Sequence, residues 1–386
     1  MELVNESDIL AISGGVPLEA PLVQAAQAKG IPITNDSLEF TKRTPTAVIG
    51  ITGSAGKTTT TALTGVMSQV AGRRTWVGGN IGRPLIADLH KMQPDDMVVQ
   101  ELSSFQLEIW TQSPHVAAIL NVTPNHLDRH KTMAAYADAK ANILRYQSAD
   151  DVAVLAADDA GAMALAAEVQ GRLRTFSLYG VVDDGAFVRD GHIWLKNGHE
   201  TAVCPLTDIK LRGQHNVLNV LAAVTLADSV GIPAEAMRQA IRTFRGVEHR
   251  LEMVRELHGV RYVNDSIATA PERALAALAA FDEPLILLAG GRDKEMQWDE
   301  WTRQVAQRVK HVVLFGDLAD MLERRLAEAG YVKITRVDGL ETAVTTAAHL
   351  AASGDVVLLS PGGTSFDAFT DFAERGELFR KLVNQL

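Results

Sequence analysis

Short apolar runs alternate with helix-spaced segments along most of the chain. "DILAI" (8–12) predicts a short buried strand, which Gly and Pro break in "SGGVPLEAP". "PLVQAAQAKG" has helical spacing up to Gly30, and "IPITN" opens another strand, so a βαβ-like piece precedes a joint near "TKRTP" (41–45). Further strands are predicted at "AVIGIT" (47–52), "MVVQEL" (97–102), "VAAILNV" (116–122) and "DVAVLAA" (151–157), with helices over 57–71 and 133–147. Such alternation builds parallel strands with helical crossovers. Residues 175–203 change rhythm: Asp-Gly and Asn-Gly between short alternating runs mark hairpins. Helical spacing returns over 215–231 and stops on a glycine. A boundary is expected near "FRGVEHR" (244–250). Beyond it "VRYVNDS", "PLILLAGG", "HVVLFG" and "DVVLLSPGG" are apolar strands ending in glycine or polar residues. In an open α/β sheet, ligands bind at that edge. The predicted class is α/β and multi-domain.

Bulk properties narrow this. With 386 residues, 47% of them hydrophobic, the chain can bury a large core. A net charge of −10 argues against non-specific nucleic-acid binding. The one cysteine, Cys204, rules out an internal disulfide framework, suits a reducing cytosol, and reads as a small buried apolar residue. No apolar run approaches the ~20 residues of a membrane-spanning helix. The acidic start "MELVNESDIL" lacks the order of a secretory signal, so a cytoplasmic protein is expected.

"GSAGKT" (53–58) sits between a strand and a helix. Gly53 and Gly56 let the backbone approach an oxyanion, and the amides of 53–59, Ser54, Ala55 and Thr59 included, can point at phosphate. Lys57 adds a positive charge and Thr58 a hydroxyl suited to Mg²⁺. Ile51 stands where the strict phosphate-loop motif has its first glycine, so the loop is a shortened variant. Glu101, at a strand end, is either an Mg²⁺ ligand or a charge at a helix N-terminus. His126, in "NVTPNHLDRH", is either a metal ligand or a core histidine, and Asp128 and His130 share that ambiguity. "GGNIGRP" (78–84) by itself is a loop offering Asn80. Downstream, Asp265 with Ser266 and Thr269, Lys294, and Ser365 lie at three strand exits and outline a cleft suited to a small carboxylate-bearing ligand.

Taken in order, "GITGSAGKTTT", "GGNIGRP", "ELSSFQLE", "NVTPNHLDRH", "YADAKANIL", "GQHNVLNVLAA", "GVEHRLE", "NDSIAT" and "SPGGTSFDAF" resemble the Mur ligases, the ATP-dependent amide ligases of peptidoglycan assembly. "ELSSFQLE" and the "SPGGTSFDAF" ending point to the branch that adds D-glutamate to UDP-N-acetylmuramoyl-L-alanine. Related folylpolyglutamate synthetases, which share the fold, match less well.

The resemblance implies a three-part chain: a remnant of the UDP-binding domain (1–43), a central ATPase domain (44–247) and a C-terminal Rossmann-like glutamate-ligase domain (248–386). It implies that Lys57 and the loop amides hold ATP, that Thr58 and Glu101 ligate one Mg²⁺ and His126 a second, and that Lys140 is carbamylated and attracts metal. Without the resemblance, Lys140 reads as a helix-surface amine. Asn216 and Asn219 correspond to adenine contacts, Arg250 and Asp265 to phosphate and ribose contacts. Ser13, Gly15 and Asn80 correspond to contacts with the UDP-linked substrate, and Thr269, Lys294, Ser365, Phe366 and Phe372 to the site of the incoming glutamate. A monomer is implied, in which closure of the C-terminal domain brings amine and acyl phosphate together.

Three departures bear on this. Ile267 and Ala270 replace a lysine and an asparagine of the family pattern, which opens the choice between D- and L-glutamate. "SGG" (13–15) replaces "SPG". The segment before the central domain lacks a first strand with its glycine turn, as in a fragment or a mis-started form, and would expose an edge strand. Alternatives are therefore a ligase for L-glutamate or another acyl acceptor, and a nucleotide-binding relative without catalysis.

Overall fold

The computed structural model describes residues 7–81, 84–211, 213–294 and 296–386. The acidic start 1–6, Gly82 and Arg83 of the glycine-rich loop, and the Asp128 side chain lie outside the described residues. The chain forms two compact units, Met1–Phe244 and Arg245–Leu386.

In the first unit, β1 (Leu10–Ala11) and β2 (Ile33–Thr34) pair in parallel around the helix Pro21–Ala28. The stretch read as a joint is instead the end of a helix, Asp36–Arg43. Asn35 caps it by accepting from Leu38 N, with Asp36 and Glu39 in the first turn and Lys42 and Arg43 in the last, as the helix dipole favours. This helix is tied down by Asn35 Nδ2 donating to Gln106 O at 2.8 Å and Thr41 Oγ1 to Gln100 Oε1 at 2.9 Å.

The main sheet contains β3 (Ala47–Thr52), β4 (Thr75–Gly79), β5 (Met97–Glu101), β6 (Val116–Ile119), β7 (Val152–Ala156), β8 (Arg172–Ser177), β9 (Gly185–Arg189), β10 (His192–Asn197) and β11 (His199–Pro205). The order is β11-β10-β9-β8-β7-β6-β3-β5-β4. Pairing is parallel from β4 to β9 and antiparallel for β9-β10 and β10-β11. Asp190 and Gly191, both at positive φ (50° and 70°), make the first hairpin turn. The hairpins begin later than the sequence pattern suggests, because β8 pairs in parallel with β7. Cys204 is buried, and burial pushes its thiol up to about 12.

The second unit is one sheet of β12 (Glu252–Leu257), β13 (Val260–Asn264), β14 (Leu285–Gly290), β15 (Val309–Phe315), β16 (Ile334–Arg336) and β17 (Val356–Gly362), ordered β12-β13-β17-β14-β15-β16. Only β12 is antiparallel to its neighbour. The strand period of two divides its apolar residues between two cores. Leu285, Leu287, Leu314 and Leu358 face Trp298 and Trp301, while Ile286, Leu288, Phe315 and Leu359 face Leu340 and Phe379. A continuous apolar run thereby becomes a strand covered on both faces. Among the described residues, no helix is long and apolar enough to cross a membrane.

Candidate active site

β5, β3 and β6 are neighbours, so their C-terminal exits share one edge of the main sheet. β3 leaves through the glycine loop. Gly53 has φ +158°, and a Cβ there would lie 3.0 Å from Leu120 Cβ. Gly56, at φ +84°, precedes the Lys57–Val70 helix, and a Cβ on it would sit 2.2 Å from Asn219 Oδ1. Both positions therefore require glycine. Asn121, just past β6, brackets the loop: Ala55 N donates to its Oδ1 at 2.8 Å and its Nδ2 donates to Ala55 O at 3.1 Å. Ser54 Oγ donates to Thr123 O at 2.9 Å and lies 3.0 Å from the Tyr136 hydroxyl. The loop is thus fixed at the N-terminus of a helix, where amides and dipole favour an anion. Thr58 is buried and Thr59 half-buried in the first helical turn. A cavity of about 260 Å³ opens beside the loop, lined in part by Gly56, Asn121, Asp158, Phe176, Tyr179 and Asn219. Asn219 Nδ2 donates to Asn216 Oδ1 at 3.0 Å, which orients both amides.

Two lysines converge on one carbonyl. Lys57 Nζ donates to Gly53 O at 2.8 Å and Lys140 Nζ to the same oxygen at 3.1 Å. Lys140 is only 1% exposed, which overturns its reading as a surface amine. It shares a helix face with buried Tyr136, Ile143 and Leu144, at spacings of three and four residues. Its Nζ lies 4.6 Å from the Tyr136 ring centroid, and no carboxylate among the described residues is within ion-pair distance. Burial, then the charge of Lys57, holds its pKa well below the usual lysine value.

Glu101 ends β5, paired with Ile51 on one side and Gly79 on the other. The next helix begins at Ser104, capped by Ser103, so Glu101 is not a first-turn helix charge. Its side chain is buried. Asn80 Nδ2 donates to Oε1 at 2.9 Å, and among the described residues Oε2 has no hydrogen-bond partner. A buried carboxylate oxygen without a donor is costly, and an oxygen-seeking cation such as Mg²⁺ would satisfy it. The residues present fit that ion.

His126 is exposed, with left-handed backbone (φ 53°) and its ring 5.0 Å from Phe105, so it is not a core histidine. His130 takes that part: it is buried, with Nε2 2.9 Å from Ser104 Oγ and Nδ1 3.3 Å from Glu108 Oε1. Arg129, which sequence reasoning passed over, secures the loop containing exposed Ser13 and Gly15. It donates to Gly15 O at 3.4 Å and Val16 O at 3.0 Å and pairs with Glu108 at 3.3 Å. Burial raises the Glu108 pKa against the opposing charge of Arg129.

The second unit gathers its candidates in the same way, because β13, β17 and β14 are neighbours. Arg292 and Thr364 bridge the exits of β14 and β17. Ser365 is buried, Thr269 and Phe372 are half-buried, and Lys294 and Phe366 are exposed. The Lys294 ammonium lies 6.0 Å from the Phe366 ring centroid. Arg250 stands between two left-handed residues, His249 (φ 61°) and Leu251 (φ 43°). Asp265 is buried and accepts from Leu251 N at 3.2 Å and Ser360 Oγ at 2.9 Å. Burial pushes its pKa up to about 7, against those hydrogen bonds and the charges of Arg250 and Arg273.

That shift has a defined sign. The native carboxyl keeps a proton that the unfolded chain releases, so stability falls as pH rises from about 4 to about 7, and the cost is complete above that window. Asp265→Asn removes the titration. Urea midpoints measured across this range should be flatter for the variant, and an unchanged slope would contradict the assignment.

Arg375 was also missed, although "FAERGELF" places it on one helical face with Phe372 and Phe379. It is fully buried and bonds to both Ser266 and Gly363.

Comparison with known proteins follows this division. The Mur ligase middle domain matches residues 51–227, and the Mur ligase glutamate ligase domain matches 249–363. The UDP-N-acetylmuramoylalanine–D-glutamate ligase of Symbiobacterium thermophilum is 44% identical, covering 100% of this chain and 86% of its own. The ligase of the same name from Pelotomaculum thermopropionicum is 43% identical, covering 98% and 84%. The MurF ligase of Thermotoga maritima, solved in complex with ADP, has a TM-score of 0.55 at 18% identity and covers 100% of each chain, a likeness of fold.

Proposed function

The chain belongs to the Mur ligase family, and on that premise we propose that it joins D-glutamate to UDP-N-acetylmuramoyl-L-alanine with ATP, as a cytoplasmic monomer, in peptidoglycan precursor synthesis. What carries this reading is the 44% identity along the whole chain to a ligase of that name. The rigid phosphate loop and the buried acid and amine beside it are the chemistry such a reaction needs.

A carboxylate is a poor acyl donor. Its oxygen attacks the γ-phosphorus of ATP, ADP leaves, and an acyl phosphate results. The glutamate amine then attacks the acyl carbon, and phosphate departs with one of the original carboxylate oxygens. The amides of 53–59 and Lys57 bind the phosphates, and Asn216 and Asn219 the adenine. Ser13, Gly15 and Asn80 serve the UDP-linked substrate. Thr58 and Glu101 would hold one Mg²⁺, and His126 with carbamylated Lys140 a second. Mg²⁺ supplies charge neutralisation at the phosphoryl oxygens. The suppressed basicity of Lys140 supports its modification, in which the free amine adds to CO₂ and releases a proton. In the second unit Thr269, Lys294, Ser365, Phe366 and Phe372 are assigned to glutamate, and Arg250 and Asp265 to the nucleotide's phosphate and ribose.

The test is turnover. Purified protein with ATP, Mg²⁺, UDP-N-acetylmuramoyl-L-alanine and D-glutamate should release phosphate and form the amide in equal amounts. L-Glutamate and a folate acceptor are run in parallel. Product with either of those and none with D-glutamate would overturn the proposal.

A further inference from the structure

Arg375 enters the second unit on the Phe372–Gln385 helix and is 0% exposed. Its guanidinium spans two turns. Nη1 and Nη2 both donate to Gly363 O at 3.2 Å, Nη2 also donates to Ser266 O at 2.9 Å, and Nε donates to Ser266 Oγ at 3.0 Å. Ser266 Oγ in turn donates to Phe372 O at 2.8 Å. Among the described residues, no carboxylate lies within ion-pair distance of it. Burial lowers its pKa to about 10, so it stays charged at neutral pH, with Asp367 the nearby acid that opposes the shift. Keeping a cation in the interior without an ion pair is costly. A planar fork can hold two backbone carbonyls at a fixed separation, which an ammonium cannot do.

The two turns are those that carry the candidates for the amino acid. Gly363 lies two residues before Ser365, and Ser266 three before Thr269. We propose that Arg375 is a positioning residue of the amino-acid site, fixing the spacing of these turns through Gly363 and Ser266 and, through the Ser266 hydroxyl, the start of the helix at Phe372. This rests on the assignment of Thr269, Ser365 and Phe372 to glutamate.

The test compares Arg375→Lys, which keeps the charge and loses the fork, with Ser266→Ala, which removes the Nε acceptor and the tie to Phe372. KM for D-glutamate, ATP and UDP-N-acetylmuramoyl-L-alanine is measured for each, beside Tm. KM for D-glutamate should rise by about tenfold or more in both, with the other two KM values within about twofold, since small misplacements act on the group they orient. A purely structural role would move all three together. That result, or an unchanged KM for D-glutamate in folded Arg375→Lys, overturns the proposal. If Arg375→Lys does not fold, Ser266→Ala decides by the same criterion. Should the native chain make no product with D-glutamate, the proposed reaction is wrong and this proposal falls with it; an active native chain separates the two.

Discussion

Lys57→Ala is expected to lower kcat by about 10³-fold while the chain stays folded. The side chain stands at the start of the Lys57–Val70 helix, at the exit of a loop held independently by Asn121 and Tyr136. Gly53 O keeps a donor in Lys140 after the substitution, and alanine is favourable in a helix. The fold therefore loses little. The reaction loses a cation at the site where charge moves onto the transferring phosphoryl group, in a position no other described lysine except Lys140 shares. Steady-state turnover beside a thermal melt separates the two effects. Activity within about tenfold of the native chain would remove the phosphate-loop assignment.

Lys140 carries the second large effect. Lys140→Ala is expected to reduce turnover by about 10³-fold, the scale for losing a preorganised electrostatic group. Lys140→Arg should be no better, because a guanidinium forms no carbamate and would place a permanent cation beside Lys57 in a buried site. Native protein in ¹³C-bicarbonate should show a carbamate carbonyl signal absent from Lys140→Ala, and assays depleted of CO₂ should slow. Modification requires the free amine, and burial, with the charge of Lys57, lowers the lysine's basicity in that direction. Full activity of Lys140→Ala would show that the amine has no part in the reaction.

These sites differ in how far the sequence discloses them. The phosphate loop was legible because glycine spacing, the strand before it and the helix after it are all local, and β3 runs over Ala47–Thr52 as the apolar pattern predicts. The Asp36–Arg43 helix was not, since it buries only Ser37, Leu38, Phe40 and Thr41 and its polar end reads as a joint. The hairpin region expected over 175–203 overlaps the end of β8, because turn signals mark hairpins locally, whereas the parallel pairing of β8 with the preceding β7 depends on the crossover between them. Lys140 and Arg375 present another case. Each sits on an apolar helical face that the spacing displays, yet burial of a cation is a choice of tertiary packing that charge alone argues against. Glu101 was identified as an acid at a strand end. Its Oε2, which has no partner among the described residues and so suits a cation, is recognisable as such only when Asn80 and the neighbouring strands are in place.

The central claim is that phosphate is passed to a carboxylate before the amide forms. The direct measurement uses UDP-N-acetylmuramoyl-L-alanine labelled with ¹⁸O in its carboxylate, turned over with ATP and D-glutamate. One labelled oxygen should appear in the inorganic phosphate for each amide made. Amide formed together with unlabelled phosphate would contradict the acyl-phosphate route.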